Sequence, residues 1–569
     1  MNVLNPTSAQ PPRHRIALSL LVAAITFLAF ARLIACDFTT LDDPDTIANN
    51  PRLRPPTLAN VAHYWTATGE DAPFGLYIPV TYATWSAVAA VAGINPHAFH
   101  AANVLLHTLS ALLVFHLLLR LFNCGAPAVI GALLFALHPV QVEPVAWASG
   151  TKDVLCGCLS IAALLEYINF AACGLASVSA SSPPDEQTLS RKRRGNIHFT
   201  IATICFILAM LAKPTAIVVP LLALTIDRLL LQRDWSQILR WLWAWFTLMI
   251  PCAIWTTRAQ PAPWSTSLPV WTRPAIATDA IAFYLYKLAL PLHLIVDYGR
   301  RPQAVLDHGW IYWTWLVPAA IALFLIIRRP RFITAGACLF VIPLLPVLGL
   351  APFMYQYVST VTDHYLYLSL LGPAVLLAWL VQRSPRVMPL ALILLLLLGG
   401  RTIAQEQYWQ DTPTLFEHTL AINPNSFLAC DQLGFYHAEL ARKLRWSSPA
   451  AAREQFAQAV GYYQRGLTIH PQYVPSIYNL AIVYRQIGRE DDARAMLRRI
   501  VQLQPSLPPG LRADPIGLAD RLLIYNDPAT AVDWLDQVLR NNPTNARAQQ
   551  LRQIALARAA TRPVTPPTP

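Results

Sequence analysis

The chain has 569 residues, 55% of them hydrophobic and only 13% charged, with a mean hydropathy of +0.40. That is more apolar surface than a soluble globule can bury, and the length allows many membrane spans. The net charge of +12 is spread over short loops and the C-terminal region rather than one basic face, so nothing in it points to nucleic acid. Nine scattered cysteines lack CxxC pairs and metal-ligand spacing and read as small apolar packing residues.

Arg13 and Arg15 precede the first apolar run, Ile16 to Ala35, which is long enough to cross a bilayer at about 1.5 Å per residue. Its end, 33-LIAC-36, matches a lipobox, but Arg32 interrupts the run just upstream, and an uncleaved signal anchor is the expectation. Further runs lie near 99–121, 127–142, 154–172, 197–212, 215–231, 239–256, 310–327, 332–351, 365–381 and 386–400. That makes eleven expected spans. Two shorter aromatic stretches, 77–93 and 277–294, could span, re-enter or lie on the membrane face. Leaving both out of the count puts Arg13, Arg15, Arg120, 191-RKRR-194, Arg228, Arg233, Arg240, 328-RRPR-331, Arg383 and Arg386 on one side. By the positive-inside rule that side is the cytoplasm. The expectation is therefore an N-terminal tail (1–15) inside, a membrane domain (16–401) with an outer loop at 36–98, and everything after Arg401 outside.

From about Tyr408 the sequence turns polar and repetitive. Units close at 420-LAINP-424, 467-LTIHP-471, 501-VQLQP-505 and 539-LRNNP-543. Pro471 to Pro505 spans 34 residues, the tetratricopeptide period. Pro424 to Pro471 spans 47, which places a 13-residue insertion around 441-ARKLRWSSPA-450, and Pro505 to Pro543 spans 38. Leu480, Ala481, Tyr484, Gly488 and Ala493 take the positions where small and aromatic residues let paired helices approach. The expectation is an all-α chain: a polytopic helical domain, then a tetratricopeptide solenoid (402–561) and a disordered tail (562–569). The solenoid would hold a polypeptide or, failing that, act as a rigid spacer.

Ionisable residues gather at the expected outer span ends: Asp42, Asp43, His138, Glu143, Lys152, Asp153, Lys213, Asp297, Asp363, His364 and Arg401. Such groups at a bilayer edge are costly unless paired or facing water, so the gathering suggests a polar cleft. Singly, each has a plainer explanation. Asp42-Asp43-Pro44 suits a turn, Lys213 can snorkel, Lys152 and Asp153 can decorate a helix start, and His138-Pro139 can end a helix. A transporter is disfavoured: Glu166 is the one internal acid that stands out, and the hydropathy has no inverted repeat.

The string 42-DDPDTIANNPRL-53, then 100-HAANVLLHTLSALLVF-115, 132-ALLFALHPVQVEPVAWASGTKDVL-155, 211-LAKPTA-216, 361-VTDHYLYLSLLG-372 and the terminal repeats together resemble bacterial relatives of the transmembrane and tetratricopeptide-repeat O-mannosyltransferases, within the GT-C glycosyltransferases. The resemblance runs from about residue 16 to 545. It implies an inverting transfer of a sugar, mannose by the family's name, from a polyprenyl phosphate to a protein hydroxyl on the outer side of a bacterial inner membrane. It maps the acidic motif of the first outer loop to Asp42 and Asp43, one of which would take the acceptor's proton or hold a divalent cation; Asp43 is favoured. His138, Lys152, Lys213, His364 and Arg401 become candidate partners for the donor phosphate, with Glu143, Asp153 and Asp363 as supporting polar groups. His364 departs from the family's string, which carries arginine at that place. The alternative is a membrane-anchored repeat scaffold without catalysis.

Overall fold

The computed structural model describes residues 11–67, 75–178, 186–259, 269–351, 353–507 and 514–560, and every regular element among them is helical. Two compact units divide the chain: residues 1–261 with 268–415, and 262–267 with 416–569. The first contains α1 (Pro12–Phe30), α2 (Leu58–Thr66), α3 (Pro79–Ala92), α4 (Pro96–Phe122), α5 (Gly125–Leu137), α6 (Val142–Ala146), α7 (Thr151–Val178), α8 (Glu186–Ala212), α9 (Val219–Thr225), α10 (Trp235–Ala259), α11 (Arg273–Ala289), α12 (Pro302–Asp307), α13 (Leu316–Arg328), α14 (Arg331–Val341), α15 (Leu371–Arg383) and α16 (Met388–Glu406). The boundary falls within α17 (Thr412–Ile422). It lies beyond the expected 401, because Gln410 accepts from the Asp37 amide (3.0 Å) and Thr412 from the Thr40 amide (3.1 Å). The second unit holds α18 (Phe427–Leu444), α19 (Pro449–Ile469), α20 (Val474–Gln486), α21 (Glu490–Leu503), α22 (Pro515–Ile524), α23 (Pro528–Asn541) and α24 (Ala546–Ala560). The tail 562–569 lies outside the described residues.

Among the described residues, eight helical segments are long and apolar enough to cross a membrane, so this is a multi-pass membrane protein. They match eight of the eleven expected runs. The other three differ for local reasons. The run at 127–142 is a bent pair, Gly125–Leu137 and Pro139–Ala146, at 52°, because Pro139 has no amide to donate and forces His138 into an extended conformation. Residues 331–347 form one shorter apolar segment, and 365–381 becomes a helix only from Leu371, since 363–366 is a 3-10 turn. The stretches 77–93 and 277–294 form α3 and part of α11, neither among the membrane-length helices. α3 packs Tyr82, Trp85 and Ala89 against Ile47, Leu53, Tyr64 and Phe99, giving the first loop a core of its own.

Burial ranks the spans. In α7 78% of the apolar stretch consists of buried residues, packed at the centre against α4 and α8, whereas α13 buries none of its residues and fits a lipid-facing position. In the repeat unit, Leu480, Ala481, Tyr484, Ala493, Leu497 and Ile500 join Leu518, Ala519, Ala531, Leu535, Leu551 and Ala555 in one continuous core. Gly488 turns between α20 and α21 at φ +82°, a conformation open to glycine at little cost. The insertion is not a loop. It lengthens α18 and α19 to 18 and 21 residues, against 13 and 14 in α20 and α21.

Candidate active site

The site begins where the extended stretch after α1 meets the turn between α6 and α7. Asn103 on α4 fixes that turn: its Nδ2 donates to the Trp147 carbonyl (2.8 Å), and its Oδ1 accepts from Thr151 Oγ1 (2.7 Å). Gly150 must lack a side chain, since a Cβ there would sit 2.4 Å from the Pro144 carbonyl oxygen. The turn therefore presents the Ser149 amide and hydroxyl at a fixed place.

Both meet Asp43. Its Oδ1 accepts from Ser149 N (2.8 Å) and Ser149 Oγ (2.6 Å), and its Oδ2 accepts from Thr39 N and Thr39 Oγ1 (3.0 Å each). The residue is fully buried. Burial raises its pKa above the ordinary carboxylate value, and the hydrogen bonds from Ser149 and Thr39 oppose the rise. With four donors on two oxygens, Asp43 has little capacity left for an acceptor or a cation.

Asp42 differs in every respect. Its side chain is 51% exposed and pairs with Lys152 Nζ at 3.2 Å. Lys152 is itself largely buried and lies over the Trp147 ring, 4.2 Å from its centroid. His364 also packs against that indole, with ring centroids 5.7 Å apart. His364 Nδ1 contacts Glu143 Oε1 at 2.5 Å, and Thr362 Oγ1 donates to the same oxygen at 2.5 Å. Lys213 pairs with Asp153 and faces the Tyr365 ring. Asp153, Lys213, Thr215, His364 and Tyr365 line a recess of about 30 Å³, room for roughly one water.

Lys152, Asp153, Lys213, Glu143 and His364 thus converge on one region beside Asp42, from segments far apart in the chain. The remaining candidates do not join them directly. His138 is buried with Nε2 on the Leu288 carbonyl (3.1 Å) and Nδ1 accepting the Val140 amide (3.4 Å), the pairing of a neutral imidazole that stitches the helix break. Arg401 donates to Gln405 (2.8 Å). Asp363 accepts twice from Tyr298 Oη (2.9 and 3.0 Å), and burial beside Glu143 pushes its pKa well above the carboxylate range. Asp297 accepts from the Gly299 amide within its own loop.

A divalent cation does not fit this arrangement. Asp43 is saturated by hydrogen donors, Asp42 faces an ammonium, and among the described residues no three His, Cys, Asp or Glu side chains gather as ligands. The sequence reading missed Thr39, Ser149, Asn103, Trp147 and Thr362. They carry no charge, and only their place beside the acids in 39-TTLDD-43 and 147-WASGTKD-153 hinted at them.

A polytopic helical membrane domain with ionisable groups gathered at its span ends, and a tetratricopeptide array, define the class of protein. The tetratricopeptide repeat family model matches residues 450–509. Protein O-mannosyl-transferase TMTC1 of Mus musculus is 33% identical over 26% of this chain and 16% of its own length. Protein O-mannosyl-transferase TMTC3 of Mus musculus is 22% identical over 86% of this chain and 55% of its own. The chain is thus a distant relative of proteins named O-mannosyl-transferases, and it spans little more than half the length of TMTC3 and less of TMTC1. The crystal structure of ArnT from Cupriavidus metallidurans bound to undecaprenyl phosphate aligns over 86% of this chain and 81% of that one, at 13% identity and a TM-score of 0.38.

Proposed function

We propose that the chain is a membrane glycosyltransferase that moves a sugar, mannose, from a polyprenyl phosphate to a protein hydroxyl. In this reading, transfer takes place on the periplasmic face of a bacterial inner membrane. The observation that carries the reading is Asp42: an accessible carboxylate, held by Lys152, beside cationic side chains. The names of the relatives support the sugar. The excess of arginine in the alternate loops supports the orientation, which puts the repeats outside.

Asp42, not Asp43, is the base we assign. An acceptor hydroxyl needs an oxygen with a spare lone pair, and Asp42 offers one on a half-exposed side chain. As the hydroxyl attacks the anomeric carbon, its proton passes to Asp42 and the sugar–phosphate bond breaks. Lys152 and Lys213 stand where negative charge grows on the leaving phosphate. Asp43 holds the loop that carries Asp42. Tyr77, Ile207, Met210, Leu211, Leu248, Pro251, Cys252, Trp255 and Thr256 line an apolar groove of about 310 Å³ along α8 and α10, suited to the first isoprene units of a lipid tail. The repeat unit would hold the acceptor polypeptide.

The test is transfer from polyprenyl-phosphate mannose to periplasmic acceptor proteins by the full chain in nanodiscs. Sugar transfer that Asp42→Asn abolishes is the expected result; undiminished transfer by that variant would remove the assignment. Failure with every lipid-linked sugar would favour the scaffold reading instead.

A further inference from the structure

We propose that His364 carries a proton which it gives to the leaving phosphate, and that Glu143 is the positioning residue that presents it; this rests on the lipid-phosphate reading above. Glu143 Oε1 accepts from both His364 Nδ1 and Thr362 Oγ1, which fixes Nδ1 as a donor and turns Nε2 the other way. The ring is held in place by Tyr365 (centroids 4.4 Å apart), Trp147 and Tyr355. Among the described residues Nε2 has no hydrogen-bond partner, and His364 lines the recess with Lys213 and Asp153.

The surrounding charges call for a cation at this ring. Glu143 and Asp153 bring two carboxylates and Lys213 one ammonium, so a neutral His364 leaves the group with one uncompensated negative charge; a protonated His364 balances it. Asp153 Oδ2 is buried without a hydrogen-bond partner, a second acceptor within electrostatic reach of the imidazolium. The other titratable neighbours add no charge of their own. Tyr355 and Tyr365 are phenols that burial keeps neutral, Tyr284 accepts the Thr362 amide (3.2 Å), Asp363 turns away to Tyr298 and Lys287, and Asp42 with Lys152, whose ammonium also acts on Asp153, forms a pair of no net charge.

The chemistry balances. When the bond from the anomeric carbon to the phosphate oxygen breaks, the electron pair stays on that oxygen. The proton on His364 Nε2 moves to it, directly or through the one water for which the recess has room, leaving a neutral imidazole. The acceptor's proton goes separately to Asp42. An arginine in this position would supply charge but not the proton.

Polyprenyl-phosphate mannose is a singly charged diester that does not titrate near neutrality, so it separates protein protonation from ligand protonation. Its binding to the full chain in nanodiscs, and its turnover, would be followed from pH 5.5 to 8.5. Wild-type affinity should fall about tenfold across that range. His364→Arg should bind with no pH dependence, yet transfer sugar at least about tenfold more slowly at pH 6. Glu143→Gln keeps an acceptor for Nδ1 but not its charge, and should move the midpoint of that dependence to lower pH. Equal pH slopes for wild type and His364→Arg, or an unmoved midpoint in Glu143→Gln, would overturn the proposal while leaving the donor reading intact. Absence of binding in every form at every pH would overturn both.

Discussion

At the scale of single residues, two adjacent aspartates differ in what surrounds them. Asp43 is fully buried with four hydrogen bonds, and Asp42 is half exposed with one ion pair. Substitution should separate them. Asp42→Asn is expected to lower transfer by about 10²- to 10⁴-fold at a smaller cost in stability than Asp43→Asn, since Asp42 is half exposed and the amide oxygen can still accept from the largely buried Lys152. Asp43→Asn places an amide donor against donors from Thr39 and Ser149 and should cost about 3 kcal/mol, lowering the melting temperature of the detergent-solubilised protein along with its activity. The acidic pair was legible in the sequence, and so was the polar gathering, because each charged residue sits beside a hydrophobic run. Which acid remains accessible was not, since that depends on Ser149, 106 residues further on.

At the scale of elements, the turn from α6 to α7 is the least tolerant segment. Gly150→Ala drives a methyl group into the Pro144 carbonyl and displaces Ser149. We expect about 2 kcal/mol of destabilisation and loss of transfer, read as thermal melting and sugar incorporation. In the repeats, Ser476 of α20 donates to Asp431 of α18 at 2.7 Å. Burial raises the Asp431 pKa to about 6, so the folded state binds this proton more tightly than the unfolded chain does. The penalty is absent below about pH 4, grows as pH rises to about 6, and reaches about 3 kcal/mol above that. Asp431→Asn should therefore abolish the loss of repeat-unit stability between pH 4 and 6, measured by denaturant unfolding of the full chain. Hydropathy revealed the spans and proline spacing revealed the repeats. Hydropathy alone could not show that Pro139 bends one span, that 363–366 stays out of another to place His364, or that an insertion lengthens two helices.

At the scale of the molecule, the reading requires one orientation. A periplasm-dependent reporter such as alkaline phosphatase, fused at the C-terminus, should be active, and a cytoplasm-dependent fluorescent fusion at the same point should be dark; the reverse pair would invert the assigned topology. The Asp43 clamp also bears on how such a protein is made. The Asp43 carboxylate enters the membrane boundary early in synthesis, and its partner Ser149 follows 106 residues later, after α4 and the bent α5–α6 pair. Until then the first loop carries an acid without two of its four donors, and it cannot settle. The clamp closes only when the α6–α7 turn is in register, so Asp42 reaches its place late in assembly. Under the proposed function, a nascent or misassembled chain would have no poised base, and lipid-linked sugars around it would be spared from stray hydrolysis.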